Sequence, residues 1–307
     1  MWLGLAQAAL QAADVAPREL VEKSQRIVFL GDSITHAGGY VAAFDAWLAA
    51  QKLEHPPTVI NVGLPSETVS GLSEQGHAGG NFPRPDLAER LARVLKETKP
   101  DLVFACYGIN CGIYQPFDDE RFARYQEGYT KLKDGVEAAG AKFVAVTPPS
   151  FDDQRAKGKF SYNEVLDRYS AWLVAQREQG WNVVDLHSAM TLELAERRKT
   201  SPDFTFQPDA VHPNDEGQWF MASQLIAWCG DDRAAAAQSP EEMLAIYKLS
   251  PGVLKLVRER SNVLRDAYLS AAGHKRPGMG QGLPVAEAEA KAAELTAKIR
   301  AAANAAR

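Results

Sequence analysis

The sequence predicts an α/β protein in which a five-stranded parallel sheet carries helices on both faces, followed by a helical C-terminal extension. Three observations predict it. Short β-branched apolar runs recur along the first two-thirds of the chain, segments with helical apolar spacing separate them, and beyond about Gly230 the strand-like runs stop.

The strand candidates, in order, are Arg26–Leu30 (RIVFL), Thr58–Val62 (TVINV), Leu102–Tyr107 (LVFACY), Lys142–Thr147 (KFVAVT) and Asn182–Leu186 (NVVDL). Continuous apolar runs of this length suit strands covered on both faces. Helical patterns fall near Tyr40–Gln51, Asp86–Glu97, Asp118–Ala139, Ser161–Gln179 and Ser188–Arg198. Strands alternating with helices imply right-handed crossovers and hence parallel pairing. A last core helix runs from about Asp215 to Cys229, with Trp219, Ala222, Ile226 and Cys229 on one face.

After Gly230 the texture changes. Ser239–Glu242 (SPEE) reads as a helix start, with proline just inside and acids in the first turn. Pro251–Ala272 carries Leu254, Val257, Leu264 and Tyr268 at helical spacing, Gly273–Pro284 reads as a linker or wrapping loop, and Val285–Ala303 is an alanine-rich helix with a sparse stripe of Leu295 and Ile299. A helix of that length is marginal alone in water, so its stripe is expected to pack back on the core. The other readings are that it pairs with another copy of the chain, which makes these helices the candidate for a homo-oligomer contact, or that it is simply solvated. The organisation is therefore a lead-in over residues 1–20, a core domain over 21–230 and an extension over 231–307.

Composition narrows the class. With 46% hydrophobic and 24% charged residues the chain reads as an ordinary globular protein. A net charge of −5 leaves no basic footprint for nucleic acid or for tight docking on an anionic membrane. The three cysteines, Cys106, Cys111 and Cys229, make no metal-ligand spacing and no disulfide framework; Cys106 reads as a small buried hydrophobe. Residues Trp2–Ala13 are apolar and alanine-rich, too short to span a bilayer and without a positive leading segment. They read either as a helical lead-in, which goes with a cytoplasmic protein, or as the tail of a secretory signal, which goes with a secreted or periplasmic one.

Three features carry chemistry. Gly31-Asp32-Ser33 follows the first strand, at the carboxyl edge where parallel sheets bind ligands. Asp209-Ala210-Val211-His212-Pro213 precedes the last core helix, and an Asp and a His three residues apart can share one side of a turn. A serine hydroxyl becomes a nucleophile when a base takes its proton, and a carboxylate fixes that base. Asn61–Thr68 after the second strand and Gly108-Ile109-Asn110 after the third supply amide donors of the kind that stabilise an oxyanion. The bland readings are a helix-capping Ser33, a surface His212 and a plain strand-ending turn at Gly108. The Gly-x-Ser-x-Gly elbow, HExxH, Walker and Gly-x-Gly-x-x-Gly patterns are absent.

These blocks, in this order, resemble the SGNH (GDSL-like) hydrolase family over about residues 26–229. The resemblance implies a flavodoxin-like three-layer α/β/α sandwich, no cofactor or metal, and a Ser33–His212–Asp209 triad. It implies an oxyanion hole from the Ser33 N–H, the second-block N–H at Ser66 and the Asn110 side chain, with Asp32 and Gly108 supporting these groups. Two departures stand out. Ser66 occupies the position of the family's oxyanion glycine, with Gly63 as the fallback donor, and Cys111 stands where an Asp often follows the Asn.

Other residues carry less. His36 reads as a local polar contact or a lining of the pocket mouth, His187 lies on the functional edge without a motif, and His77 sits in a Gly-rich loop. Phe160, Tyr162 and Asn163 are candidates for a cleft wall, with Tyr162 equally a core residue. The expected activity is hydrolysis of an O-acyl ester, leaning to a short acetyl ester on a carbohydrate. The alternatives are a lipid ester or thioester, or a non-catalytic glycan-binding module on the same fold.

Overall fold

The computed structural model describes residues 15–305, so the stretch Trp2–Ala13 lies outside the described residues. Five strands form one sheet: β1 (Arg26–Gly31), β2 (Thr58–Asn61), β3 (Leu102–Cys106), β4 (Lys142–Val146) and β5 (Asn182–Val184). All pair in parallel in the order β2-β1-β3-β4-β5. This is the doubly wound, flavodoxin-like order, and helices cover both faces. Side chains on both faces are consequently apolar: Ile27, Val28, Phe29 and Leu30 of β1 are all wholly buried. Phe29 stacks on Phe104, its partner in register, with ring centres 5.0 Å apart.

The order has one consequence for function. The chain leaves β1 towards β2 on one side and returns to β3 on the other, so the crevice beyond the carboxyl ends of β1 and β3 is the topological switch point, where such sheets bind ligands.

Most boundaries differ from the sequence reading by a residue, and some by two, among them those around β5. β5 stops at Val184, short of the apolar run to Leu186, because Asp185 accepts a hydrogen bond from the Ser188 N–H and caps the helix Leu186–Arg198. The helix expected from Ser161 begins at Asn163 and tightens into a 3₁₀ turn over Gln176–Gln179.

The extension joins the same core. The helix Gly252–Ala272 packs on β2 and on the helices Gly39–Ala50 and Leu87–Thr98, with Leu254, Val257, Leu264 and Tyr268 buried as their spacing predicts. Arg260 makes two hydrogen bonds, of 2.7 and 2.8 Å, to the buried Asp45 carboxylate. The last helix, Val285–Ala305, lies along it with Leu295 and Ile299 buried. Its apolar stripe therefore packs within the chain. Among the described residues no helix is long and apolar enough to cross a membrane.

Candidate active site

The site starts where β1 ends. Asp32 caps the short helix Ser33–Ala37, accepting from the Ile34 N–H at 3.0 Å, so Asp32 and not Ser33 is the cap. Ser33 is the first helical residue, and its N–H has no acceptor within the helix or among the described residues. Burial pushes the Asp32 carboxyl up to about 7, against the pull of the Ile34 N–H and of His212.

Ser33 Oγ lies 2.9 Å from His212 Nε2. His212 Nδ1 lies 2.7 Å from Asp209 Oδ2. A carboxylate accepts, so Nδ1 carries the hydrogen and Nε2 turns its lone pair to the serine hydroxyl. The other Asp209 oxygen accepts from the His212 and Val211 N–H groups at 2.7 and 3.0 Å. Burial acts to raise the Asp209 carboxyl, but these bonds and the His212 ring outweigh it and hold the group below the ordinary carboxylate range. Between the two residues Ala210 adopts φ +75°, and its carbonyl accepts from the Asp152 N–H at 3.0 Å, which ties the turn to the segment after β4. The pair faces solvent, with His212 and Asp209 side chains 50% and 58% exposed.

The donor groups gather on the adjoining edge. Leu64–Glu67 forms a β-turn closed by the Glu67 N–H to Leu64 carbonyl bond of 3.2 Å. Ser66 sits at its third position with φ +69°, the conformation that normally calls for glycine. Its N–H has no acceptor among the described residues. Gly63, the fallback donor, is corrected by the geometry: its N–H already donates to Asn61 Oδ1 at 2.9 Å. Glycine is needed there for close packing, since a Cβ would stand 2.5 Å from the His36 nitrogen. His36 Nδ1 donates to the Gly63 carbonyl at 3.0 Å, a local contact.

Asn110 follows β3 through a turn at Gly108 (φ +153°), where a Cβ would meet the Pro148 ring at 2.5 Å. The Asn110 Oδ1 accepts from Arg84 Nη1 at 2.8 Å and from the Tyr114 hydroxyl at 3.1 Å. With Oδ1 so engaged the amide has one orientation. Nδ2 donates to the Glu67 carbonyl at 3.3 Å, and its second hydrogen is free of any acceptor among the described residues. Cys111 Sγ accepts from the Val69 N–H at 3.4 Å, and its carbonyl accepts from Ser70 Oγ at 3.2 Å. Cys111 thus stitches this turn to the segment after Ser66, and burial pushes its thiol up to about 12, which keeps it protonated.

Arg84, Glu74 and Tyr114 were not singled out from the sequence. Arg84 Nε and Nη2 make a two-pronged bond to Glu74 at 2.6 and 2.7 Å, with the guanidinium over the Tyr114 ring. His77 donates to the same Glu74 carboxylate at 3.1 Å. The one sequence signal was an arginine bracketed by Pro83 and Pro85 in a loop without periodicity. His187 is instead buried and paired with Asp167 at 2.7 Å. Tyr162 is core: buried, it stacks on Tyr114 and donates to the Ile109 carbonyl at 2.9 Å. Asn163 accepts from the Phe151 N–H at 2.8 Å, and Phe160 is exposed. Among the described residues no cluster of His, Cys, Asp and Glu is placed to hold a metal.

Residues 29–220 match the model of the GDSL-like Lipase/Acylhydrolase family. No curated protein matches the sequence. Among solved structures, a gut microbial diltiazem-metabolizing enzyme aligns with a TM-score of 0.53 at 19% identity, over 67% of this chain and 47% of that one. The match thus spans about half of that protein's length. A catalytic mutant of an acetylxylan esterase from Geobacillus stearothermophilus aligns at 0.51 and 23% identity, over 67% of this chain and 94% of that one. An alpha/beta hydrolase enzyme from the metagenome of Lake Arreo, Spain, aligns at 0.52 and 24%, over 67% and 95%. At these identities the likeness is one of fold.

Proposed function

The chain belongs to the GDSL-like lipase/acylhydrolase family, and from that premise we propose that it hydrolyses an O-acyl ester through Ser33, with an acetyl group on a carbohydrate as its substrate class. The observation that carries the reading is the hydrogen-bonded chain from Ser33 Oγ through His212 to Asp209, at 2.9 and 2.7 Å.

In this reading the Ser33 Oγ bonds to the acyl carbon while its proton passes to His212 Nε2. The carbonyl electron pair moves to oxygen. The N–H groups of Ser33 and Ser66 and the Asn110 Nδ2 then stabilise the oxyanion, and such donors each contribute roughly 100- to 1000-fold in rate. Collapse breaks the bond to the alcohol oxygen, which takes the proton from His212. Water then attacks the acyl-enzyme, His212 takes one of its protons and returns it to Ser33 Oγ, and the acid is released. Asp209 stays ionised throughout, holding the ring and stabilising its charged form.

Two observations favour a carbohydrate ester. The base and its carboxylate are half exposed, which suits a bulky hydrophilic alcohol. One protein of the same fold is described as an acetylxylan esterase. The test compares p-nitrophenyl acetate, p-nitrophenyl decanoate and an acetylated xylooligosaccharide, with wild type and Ser33→Ala side by side. Turnover of the acetyl substrates by wild type alone is expected. Undiminished turnover by Ser33→Ala would remove the nucleophile assignment, and a preference for the decanoate would remove the substrate class.

A further inference from the structure

We propose that Arg276, in the C-terminal extension, is a positioning residue for the oxyanion hole, holding the peptide that presents the Ser66 N–H. The inference rests on the acyl-transfer reading above.

The turn Leu64-Pro65-Ser66-Glu67 is of type II, as its closing hydrogen bond and the positive φ of Ser66 after a proline require. Types I and II differ by rotation of the central peptide, here the one joining Pro65 to Ser66. A residue with a Cβ at the third position favours type I, because the left-handed conformation is disfavoured for it by about 5- to 30-fold. In a planar trans peptide the C=O and N–H point in opposite directions. Rotation to type I would therefore swing the Ser66 N–H away from its present direction and put a carbonyl oxygen there instead. An oxygen facing a developing oxyanion opposes catalysis.

A glycine at this position would make the type II form free of strain. This chain has serine, so something else must hold the peptide. Arg276 Nε donates to the Pro65 carbonyl at 2.9 Å, and that carbonyl belongs to the same peptide as the Ser66 N–H. The guanidinium also lies over the Phe82 ring, 5.5 Å from its centre, and Nη1 donates to the Pro277 carbonyl at 3.0 Å, so it is held from three directions. Its segment is anchored in turn, with the Gly282 N–H donating to Ser270 Oγ at 2.8 Å. Charged donors make the stronger hydrogen bonds, and this one is broken by rotation to type I. Arg84 Nη1, at 3.4 Å from the Ser66 carbonyl, adds a weaker hold on the next peptide. Arg276 lies outside the 29–220 family match, so the extension supplies to the hole what a glycine would supply by itself.

The test is Arg276→Met, alone and combined with Ser66→Gly, with p-nitrophenyl acetate as probe. Arg276→Met is expected to lower kcat by about 5- to 30-fold with KM changed less than about twofold, as the competent turn becomes the minor form. Ser66→Gly should restore kcat in the double variant to within about threefold of Ser66→Gly alone, which a general loss of stability would not produce. Arg276→Lys, which keeps a charged donor, should retain most of kcat and guards against a folding artefact. A wild-type kcat in Arg276→Met, or a loss that persists undiminished when Ser66→Gly is added, overturns the proposal. If Ser33→Ala is inactive while Arg276→Met is unaffected, this proposal falls alone; if Ser33→Ala is active, the acyl-transfer reading falls first.

Discussion

Removing the Arg84 guanidinium tests how the Asn110 amide is held. In Arg84→Met the Asn110 Oδ1 loses its 2.8 Å donor and keeps the Tyr114 hydroxyl at 3.1 Å. The Nδ2 bond to the Glu67 carbonyl still favours the present orientation, but it is neutral and long at 3.3 Å; the hydroxyl can donate or accept, so its bond does not distinguish the two orientations. The arginine does, because it has only donors. A hydrogen bond to a charged group contributes about 1.5–3 kcal/mol. Losing that bias shifts the ratio of flipped to competent amide by about 10- to 100-fold, which takes the competent form from dominant to about half and lowers kcat by about twofold. Asn110→Ala should slow the reaction roughly 100- to 1000-fold, the effect of losing one oxyanion donor. If Arg84 works through Asn110, the double variant is no slower than Asn110→Ala alone. The assay is kcat on p-nitrophenyl acetate for the four members of the cycle, with circular dichroism to confirm folding. Losses that multiply would refute the coupling and leave Arg84 a support of the loop.

Two further outcomes follow from burial. The Asp32 carboxyl stands at about 7 against 3.8 for a free side chain, so between those pH values the folded chain keeps a proton that the unfolded chain has released. Stability should therefore fall as pH rises from about 4 to about 7 and level off above. Asp32→Asn escapes this loss, and its stability relative to wild type should improve by at most about 3 kcal/mol between pH 5 and pH 8, read by urea denaturation at the two pH values; an equal difference at both would contradict it. Truncation after Gly230 strips the helix Gly252–Ala272 from β2 and leaves the buried Asp45 without Arg260. Breaking one side of a buried pair alone costs about 3–5 kcal/mol. The truncated chain should lose its cooperative thermal transition, and a folded, active fragment would show the extension to be dispensable.

The sheet was legible because each strand is a short apolar run, and both faces being covered leaves no alternation to misread. What periodicity does not carry is the end of a run. The segment NVVDL reads as one strand, yet Asp185 is a cap and Leu186 is already helical. The hydrogen-bonded trio proposed as nucleophile, base and carboxylate was legible because local chain geometry brings Asp209 and His212 together and the strand edge presents Ser33. The donors were legible only in part. Ser66 could be placed by motif, but the bond that occupies the Gly63 N–H runs to the Asn61 side chain, a contact that no pattern encodes. Arg84 and Arg276 lie 18 and 210 residues beyond the Ser66 they serve or adjoin. Apart from the Arg84 ion pair with Glu74, their partners are backbone carbonyls and an amide, so neither contact with the donor groups leaves complementary residue types in the sequence.

The exposure of His212 and Asp209 bears on what happens once the acyl group is on the enzyme. An acyl-enzyme is a branch point: water takes it to the acid, and an alcohol takes it to a new ester. Enzymes that favour the second branch shut out bulk solvent, because enclosure suppresses hydrolysis of reactive intermediates. Here half of the His212 side chain and more than half of Asp209 face solvent. Water reaches the base at its full activity, and an alcohol gains no advantage from enclosure and must compete through its concentration or its own binding. On the proposed mechanism the open rim commits the acyl group to loss: a geometry open enough for a large alcohol component to enter also lets it depart and leaves the solvent to finish the reaction.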